Sequence, residues 1–139
     1  TVAPTTAPPA TVALRFSREA EAGGNTLGGG ARIVTCQGCS GGAEVSFVGN
    51  GGTLQFNGVT APSLGRYQVA ISYASGEQRS ADLSVNGSAG IRLDFAGTGS
   101  FDTVGVRTVT VTLRAGPNTL MLSGGHFTPG FDGIRVQPA

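Results

Sequence analysis

The sequence predicts an all-β fold, an antiparallel sandwich or barrel, and three observations carry that prediction. Apolar residues alternate with polar ones at the two-residue period of a half-buried strand, most clearly at Tyr67, Val69, Ile71 and Tyr73. Clusters of Gly, Asn, Ser and Pro punctuate these runs, and 24 of the 139 residues are glycine. No window sustains the apolar period of an amphipathic helix. A chain of this length builds one domain with a real core and is short for two.

Taken in order, residues 1–13 are rich in Pro, Thr and Ala and carry no core-forming pattern, so they read as an extended linker to a neighbouring module. The domain proper is 14–139. Its first strand is expected at 14–22, with Glu19 and Glu21 on one face, because side chains two apart in a strand point the same way. A short strand at 31–35 follows Gly28, Gly29 and Gly30. Next comes Cys36-Gln37-Gly38-Cys39-Ser40-Gly41-Gly42, which holds both cysteines and whose glycines permit a tight reversal. Further strands are expected at 44–48, at 53–59 with Leu54 and Phe56 inward, at 66–73, 81–85 and 91–95. The last three fall at 106–113, where Val109, Val111 and Leu113 alternate with Thr108, Thr110 and Thr112, then at 119–122 and 134–136. Antiparallel sandwiches often set the first and last strands side by side, which would bring Asp132 near Glu19 and Glu21.

Charge excludes some partners. Nine basic residues, all arginine, against eight acidic ones give a formal net charge of +1, so charge alone does not point to nucleic acid. No apolar run approaches the ~20 residues of a membrane helix, so no membrane partner is expected. The first residues lack the charged-then-apolar pattern of a secretory leader.

The Cys-x-x-Cys pair could be half a zinc site, a redox dithiol or a disulfide. Zinc needs further soft ligands and only His126 remains. A thioredoxin-like dithiol belongs to an α/β pattern that is missing here. A short structural disulfide between Cys36 and Cys39, in a secreted domain, fits best. Catalysis finds little support, because no serine has a matched base and His126 sits in a Gly/Pro loop without a nucleophile motif. Glu19, Glu21 and Asp132 could together hold calcium, a hard cation that takes oxygen ligands; equally, on residues alone, they could form a solvated acidic edge.

An ordered set of motifs carries a resemblance. Glu19-Ala20-Glu21-Ala22 opens the fold, and Cys39-Ser40-Gly41-Gly42 leads into a Val-x-Phe-Val strand. Gly65-Arg66-Tyr67-Gln68-Val69, Ser72-Tyr73-Ala74-Ser75-Gly76, Ser84-Val85-Asn86-Gly87 and Gly97-Thr98-Gly99-Ser100-Phe101 follow. Val111-Thr112-Leu113-Arg114-Ala115-Gly116-Pro117-Asn118-Thr119-Leu120 then leads to Phe131-Asp132-Gly133-Ile134. Over about 16–137 this order resembles the carbohydrate-binding modules of family 35, close kin of family 6. The resemblance implies a β-sandwich of jelly-roll topology and a non-catalytic module that targets an attached, secreted glycoside-active enzyme to a polysaccharide. It also implies a structural calcium held by Glu19, Glu21 and Asp132, with backbone oxygens around 41–43 completing the site.

The chain departs from that pattern where such modules bind sugar. Phe101 stands where a Trp is frequent, Val104 where a second aromatic is frequent, and Gly130 where an Asn is frequent. The remaining candidates on loops at one end of the sandwich are Arg79, Phe101 and His126. Arg79 offers a planar fork of donors, Phe101 a ring face for sugar C–H surface, and His126 a group that donates and accepts near neutral pH. Against each stands a plainer role: Arg79 paired with Glu77, Phe101 in the core, His126 as a surface loop residue. The alternative function is a structural or spacer sandwich that binds no sugar.

Overall fold

The alternation read from the sequence sorts the chain into two layers. The computed structural model describes residues 16–124 and 126–139; the linker at 1–13, with Leu14 and Arg15 of the first expected strand, lies outside the described residues. Among the described residues eleven strands follow in chain order: β1 Phe16–Glu19, β2 Thr26–Gly28, β3 Arg32–Thr35, β4 Ala43–Ser46, β5 Thr53–Ala61 and β6 Gly65–Ala74. Then come β7 Arg79–Val85, β8 Ile91–Phe95, β9 Val104–Leu113, β10 Gly116–Ser123 and β11 Gly130–Pro138. One sheet runs β3-β4-β11-β6-β9 with β1 also on β11, and the other runs β2-β5-β10-β7-β8; strand neighbours within each pair antiparallel. Together they form the expected antiparallel sandwich with jelly-roll topology.

The inward residues are the alternating ones. Tyr67, Val69, Ile71 and Tyr73 of β6 are buried, as are Leu54 and Phe56 of β5 and Val111 and Leu113 of β9. Phe95 lies at the centre, edge-on to Tyr73 at 4.9 Å and to Phe131 at 5.6 Å between ring centroids. This is the preferred geometry of aromatic rings, and truncating such a buried ring costs about 3–5 kcal/mol. In β5 the alternation slips by one residue. Asn118 faces Val59 while Leu120 faces Phe56, so β5 carries an extra residue, at a left-handed Gly58 with φ 64°. The slip keeps Val59 and Ala61 inward.

Two expectations need correction. The first strand ends at Glu19, and Ala20 and Glu21 lie in a turn closed by Ala22 N–H to Glu19 O at 3.2 Å. Glu19 and Glu21 therefore do not share a strand face; the turn brings them together. The second is an omission: the short strand β2 pairs with β5 inside the glycine-rich stretch before β3, where three residues are too few to show a period.

β11 organises the functional end. β6 covers one of its edges along its length. Its other edge is divided: Phe131 faces Val45 of β4, while Gly133 to Val136 face β1. Between these two pairings Phe131 faces Tyr73 and Gly133 faces Ser72, so Asp132 is the extra residue of a β-bulge. A bulge re-aims a side chain, and this one stands where the edge changes partner.

Candidate functional site

Two groups of polar residues flank the cysteine loop. The first is the acidic junction. Glu19 comes from the end of β1, Glu21 from the turn after it and Asp132 from the bulge, and one carboxylate oxygen from each lies within 4.8 Å of the others. Ser40 of the cysteine loop closes over them: its N–H donates to Asp132 Oδ2 at 3.1 Å and its hydroxyl donates to Glu19 Oε1. Gly41 adopts φ 71°, and a Cβ there would stand 3.0 Å from Glu21 Oε2, so glycine serves both the turn and the close approach. The Gly42 carbonyl accepts from Cys36 N–H at 3.0 Å.

These donors leave the junction short of positive charge. Glu21 Oε1 and Asp132 Oδ1 are buried without a hydrogen-bond partner among the described residues. Burial raises the pKa of Asp132; the Ser40 N–H opposes that rise and the Glu19 charge adds to it. Burial likewise raises Glu21, its own backbone N–H opposing and Glu19 and Asp132 adding. Three converging carboxylates with orphaned oxygens form a set of hard oxygen donors able to hold a metal ion.

The second group lines a cavity of about 750 Å³ between the β3–β4 hairpin and the loops at 49–50, at 101 and at 126–130. Arg79, Phe101 and His126 all line it. The Arg79 guanidinium lies 4.6 Å from the Phe101 ring centre and 5.3 Å from that of Phe127. It donates from Nε to Glu77 at 3.3 Å and from Nη1 to Thr128 O at 3.2 Å. The pair with Glu77 thus forms, and Arg79 also clips together the aromatic wall. Phe101 is 40% exposed and is not a core residue. His126 is exposed, with Nδ1 3.3 Å from Asn50 Oδ1.

The strand side of the cavity escaped the sequence reading. Arg32 of β3 stacks on Phe47 at 4.1 Å. Phe47 has φ 64°, a conformation rare for a bulky residue, which turns its ring outward and leaves Val45 and Val48 inward. Phe47, Phe101 and Phe127 are 53%, 40% and 66% exposed, three rings open to one cavity. Glu44 of β4 also lines it, yet is only 3% exposed. Burial, the largest cause, then the Asp102 charge, push its carboxyl from 4.5 up to about 7; the Ser46 hydroxyl opposes this and the Asp132 charge adds to it. One signal for Glu44 existed in the sequence, an acid inside the apolar strand that follows the cysteine loop. Nothing in the sequence marks the left-handed Phe47.

Cys36 and Cys39 form a disulfide, so they offer no thiolate to a metal beside Glu44. The bridged loop joins the two groups. Ser40 caps the acidic junction, while Gln37 N–H donates to Asp102 Oδ1 at 3.3 Å, next to Phe101.

Comparison with known proteins places this geometry. The family model of a CBM13-like domain, the CBM13 domain of alpha-galactosidase, matches residues 53–136. A family 35 carbohydrate-binding module from Clostridium thermocellum superposes with a TM-score of 0.84 at 31% identity, covering 88% of this chain and 98% of that one. An exo-β-1,3-galactanase from Phanerochaete chrysosporium, solved with galactose, gives a TM-score of 0.82 at 32% identity over 91% of this chain and 30% of its own. An exo-β-D-glucosaminidase from Amycolatopsis orientalis is 43% identical over 65 residues, which is 45% of this chain and 6% of that enzyme. The match thus spans a small fraction of the enzyme. Family model and whole-length relative agree in kind: the chain is a carbohydrate-binding module, belonging to family 35 by its whole-length relative and to the CBM13-like domains by its family model.

Proposed function

We propose that this module binds oligo- or polysaccharide in the cavity walled by Phe47, Phe101 and Phe127, and that it does so as the non-catalytic targeting domain of a secreted glycoside-active enzyme. The observation that carries the reading is three solvent-exposed phenylalanine rings facing one cavity, two of them stacked on Arg79. Exposing such rings to water is unfavourable for a mere spacer, whereas a pyranose presents a C–H face that packs on a ring and hydroxyls that seek polar edges. Arg79, Phe101 and His126 are the proposed contacts from the loops. Arg79 holds the wall and presents its remaining N–H groups, Phe101 receives the sugar face, and His126 donates or accepts at the rim. An open, preformed site of this kind binds with micromolar to millimolar affinity, about −8 to −4 kcal/mol.

Calcium belongs to the same proposal. Glu19, Glu21 and Asp132 would hold it, supported by the two orphaned buried oxygens and the uncompensated charge. The ion would supply the positive charge that the junction lacks and pin the start of the domain, the bulge of β11 and the cysteine loop to one point. Residues 1–13 are proposed as the linker to the catalytic domain in the parent chain. Titration against a glycan array, with and without calcium, tests the reading. Binding to a defined polysaccharide, weakened in Arg79→Ala, Phe101→Ala or His126→Ala proteins that still fold, is the expected outcome. Unchanged binding in all three would move the site elsewhere, and no binding to any glycan would leave the spacer role.

A further inference from the structure

The cavity floor carries a buried carboxyl that has the Ser46 hydroxyl but no cation beside it, and a buried hydroxyl without a partner among the described residues. Glu44 is 3% exposed and makes no ion pair among the described residues. Cys39 Sγ lies 3.4 Å from Glu44 Oε2, but a disulfide sulfur has no hydrogen to give, so this contact is a hydrogen bond only when the carboxyl itself donates. Thr128, 6% exposed, lines the same cavity with a buried hydroxyl that finds no partner among the described residues. Glu44 occupies the floor because residue 130 has no side chain: a Cβ on Gly130 would come within 2.5 Å of the Glu44 carboxyl carbon and 2.6 Å of Oε1. Any other residue at 130 would push this carboxyl out of its place. Gly130 and Glu44 are thus one device, a space and the group that fills it.

Resting on the sugar-binding reading above, we infer that Glu44, admitted to the floor by Gly130, selects uncharged sugars over acidic ones in this cavity. The chemistry follows from what the group can do. A carboxyl can accept from one sugar hydroxyl and, when protonated, donate to another, and the unpartnered Thr128 hydroxyl adds a further donor and acceptor. An incoming carboxylate meets the opposite conditions. It brings a second negative group beside a buried acid, and like charges in an apolar setting repel strongly. Among the described residues two arginines line the cavity, and both compensate only in part: Arg79 has Nε engaged by Glu77 and Nη1 by the Thr128 carbonyl, while Arg32 lies exposed over the Phe47 ring, where water screens its charge.

Two matched pairs test this: methyl β-D-galactoside against D-galacturonate, and methyl β-D-glucoside against D-glucuronate, titrated calorimetrically into the whole module with calcium held constant. The native protein is expected to bind one neutral sugar at least about tenfold more tightly than its acidic partner. Glu44→Gln keeps the shape and both hydrogen-bonding roles but removes the charge. It should close the preference, raising the affinity of the acidic partner about tenfold relative to that of the neutral sugar. Gly130→Ala should weaken the neutral sugar at least about tenfold, with folding verified by its melting transition. An acidic sugar that binds native protein more tightly than its neutral partner overturns the inference, as does a ratio that Glu44→Gln leaves unmoved. If none of the four probes binds, the inference falls; if glycans of the wider array also fail, the sugar-binding reading falls with it.

Discussion

At the acidic junction three carboxylates face one another, and two of their oxygens are buried with no partner among the described residues. At the cavity floor, one strand and the cysteine loop away, Glu44 is equally withdrawn from water and makes no ion pair among the described residues. Burial penalises the charged form in both places and pushes the carboxyls of Glu21, Asp132 and Glu44 up. The remedies differ because the geometry differs. A triad with oxygens converging within 4.8 Å has the charge and the donor set that a divalent cation needs. A single carboxyl in an aromatic cavity has neither, and the simplest relief is a proton or the hydroxyl of a ligand. Adjacent carboxylates in one small domain can therefore serve separate ends, and the number that converge decides which.

The largest effect expected from breaking this contrast is loss of the proposed ion. An ion bound only by the folded state at a thousandfold excess over its Kd stabilises by about 4 kcal/mol. Exhaustive chelation should then lower the melting temperature by on the order of ten degrees, and calcium but not magnesium should restore it. Asp132→Ala should melt like the chelated protein and ignore added calcium. A melting curve indifferent to chelation, together with no calcium by elemental analysis, would refute the metal and leave the junction a strained acidic edge.

The next effect is a pH dependence with opposite signs at the two places. Glu44 has a folded pKa near 7 against 4.5, so between those values the native state keeps a proton that the unfolded chain has released. Stability should then fall as pH rises through that window, by about 3 kcal/mol in all, and level off above it. In chelator, Glu21 and Asp132, also raised, add to the same fall. Bound calcium would favour their ionised forms and reverse their share, so that stability there rises with pH. Denaturant titrations from pH 4 to 8, with chelator and with calcium, separate the two. Glu44→Gln should remove its part of the fall in both conditions, and a slope that this variant leaves unchanged would show that Glu44 ionises freely.

How much of this was legible in the sequence depended on whether a side chain's place follows from local period. Tyr67 to Tyr73 could be placed inward because β6 is long and regular. The three ligand candidates could be named from their chemistry and chain position, yet the reason given for pairing Glu19 with Glu21 was wrong: a turn, not a strand face, joins them. Phe47 and Arg32 were missed because a left-handed residue breaks alternation without a glycine to announce it. The bulge at Asp132 was equally silent, since an inserted residue is visible only against its partner strand. Glu44 became intelligible once Gly130 was seen beside it, a contact between β4 and β11 that no window of either strand contains.

A smaller effect concerns the loop that joins the two regions. Closing so short a loop limits the entropic gain to about 2 kcal/mol. Reduction should therefore lower stability modestly while disturbing both neighbours, because Ser40 and Gln37 both hang on the bridged turn. Intact-mass analysis after alkylation without reductant should show no free thiol, and two labelled thiols in the native protein would contradict the bridge. A Cys36→Ser/Cys39→Ser protein should also bind calcium more weakly, which links the loop to the junction.

The smallest effect on stability is expected where the effect on function is expected to be greatest. Phe101 and Phe127 keep much of their surface in water, so truncation removes little buried area, and Phe127→Ala should lie within about 0.5 kcal/mol of the native stability. Phe101→Ala should cost slightly more, because Arg79 lies 4.6 Å from its ring and exposed stacking of that kind contributes about 0.5–1 kcal/mol. Phe95→Ala, in the core, sets the opposite limit at about 3–5 kcal/mol. Paired measurements of urea unfolding and glycan affinity would place these variants on two axes. A binding wall gives affinity loss without stability loss for Phe101 and Phe127 and the reverse for Phe95, whose folded fraction should still bind. If truncating the exposed rings instead costs several kcal/mol and leaves affinity intact, the rings brace the loops at 101 and 126–130, and the cavity they enclose is not where sugar binds.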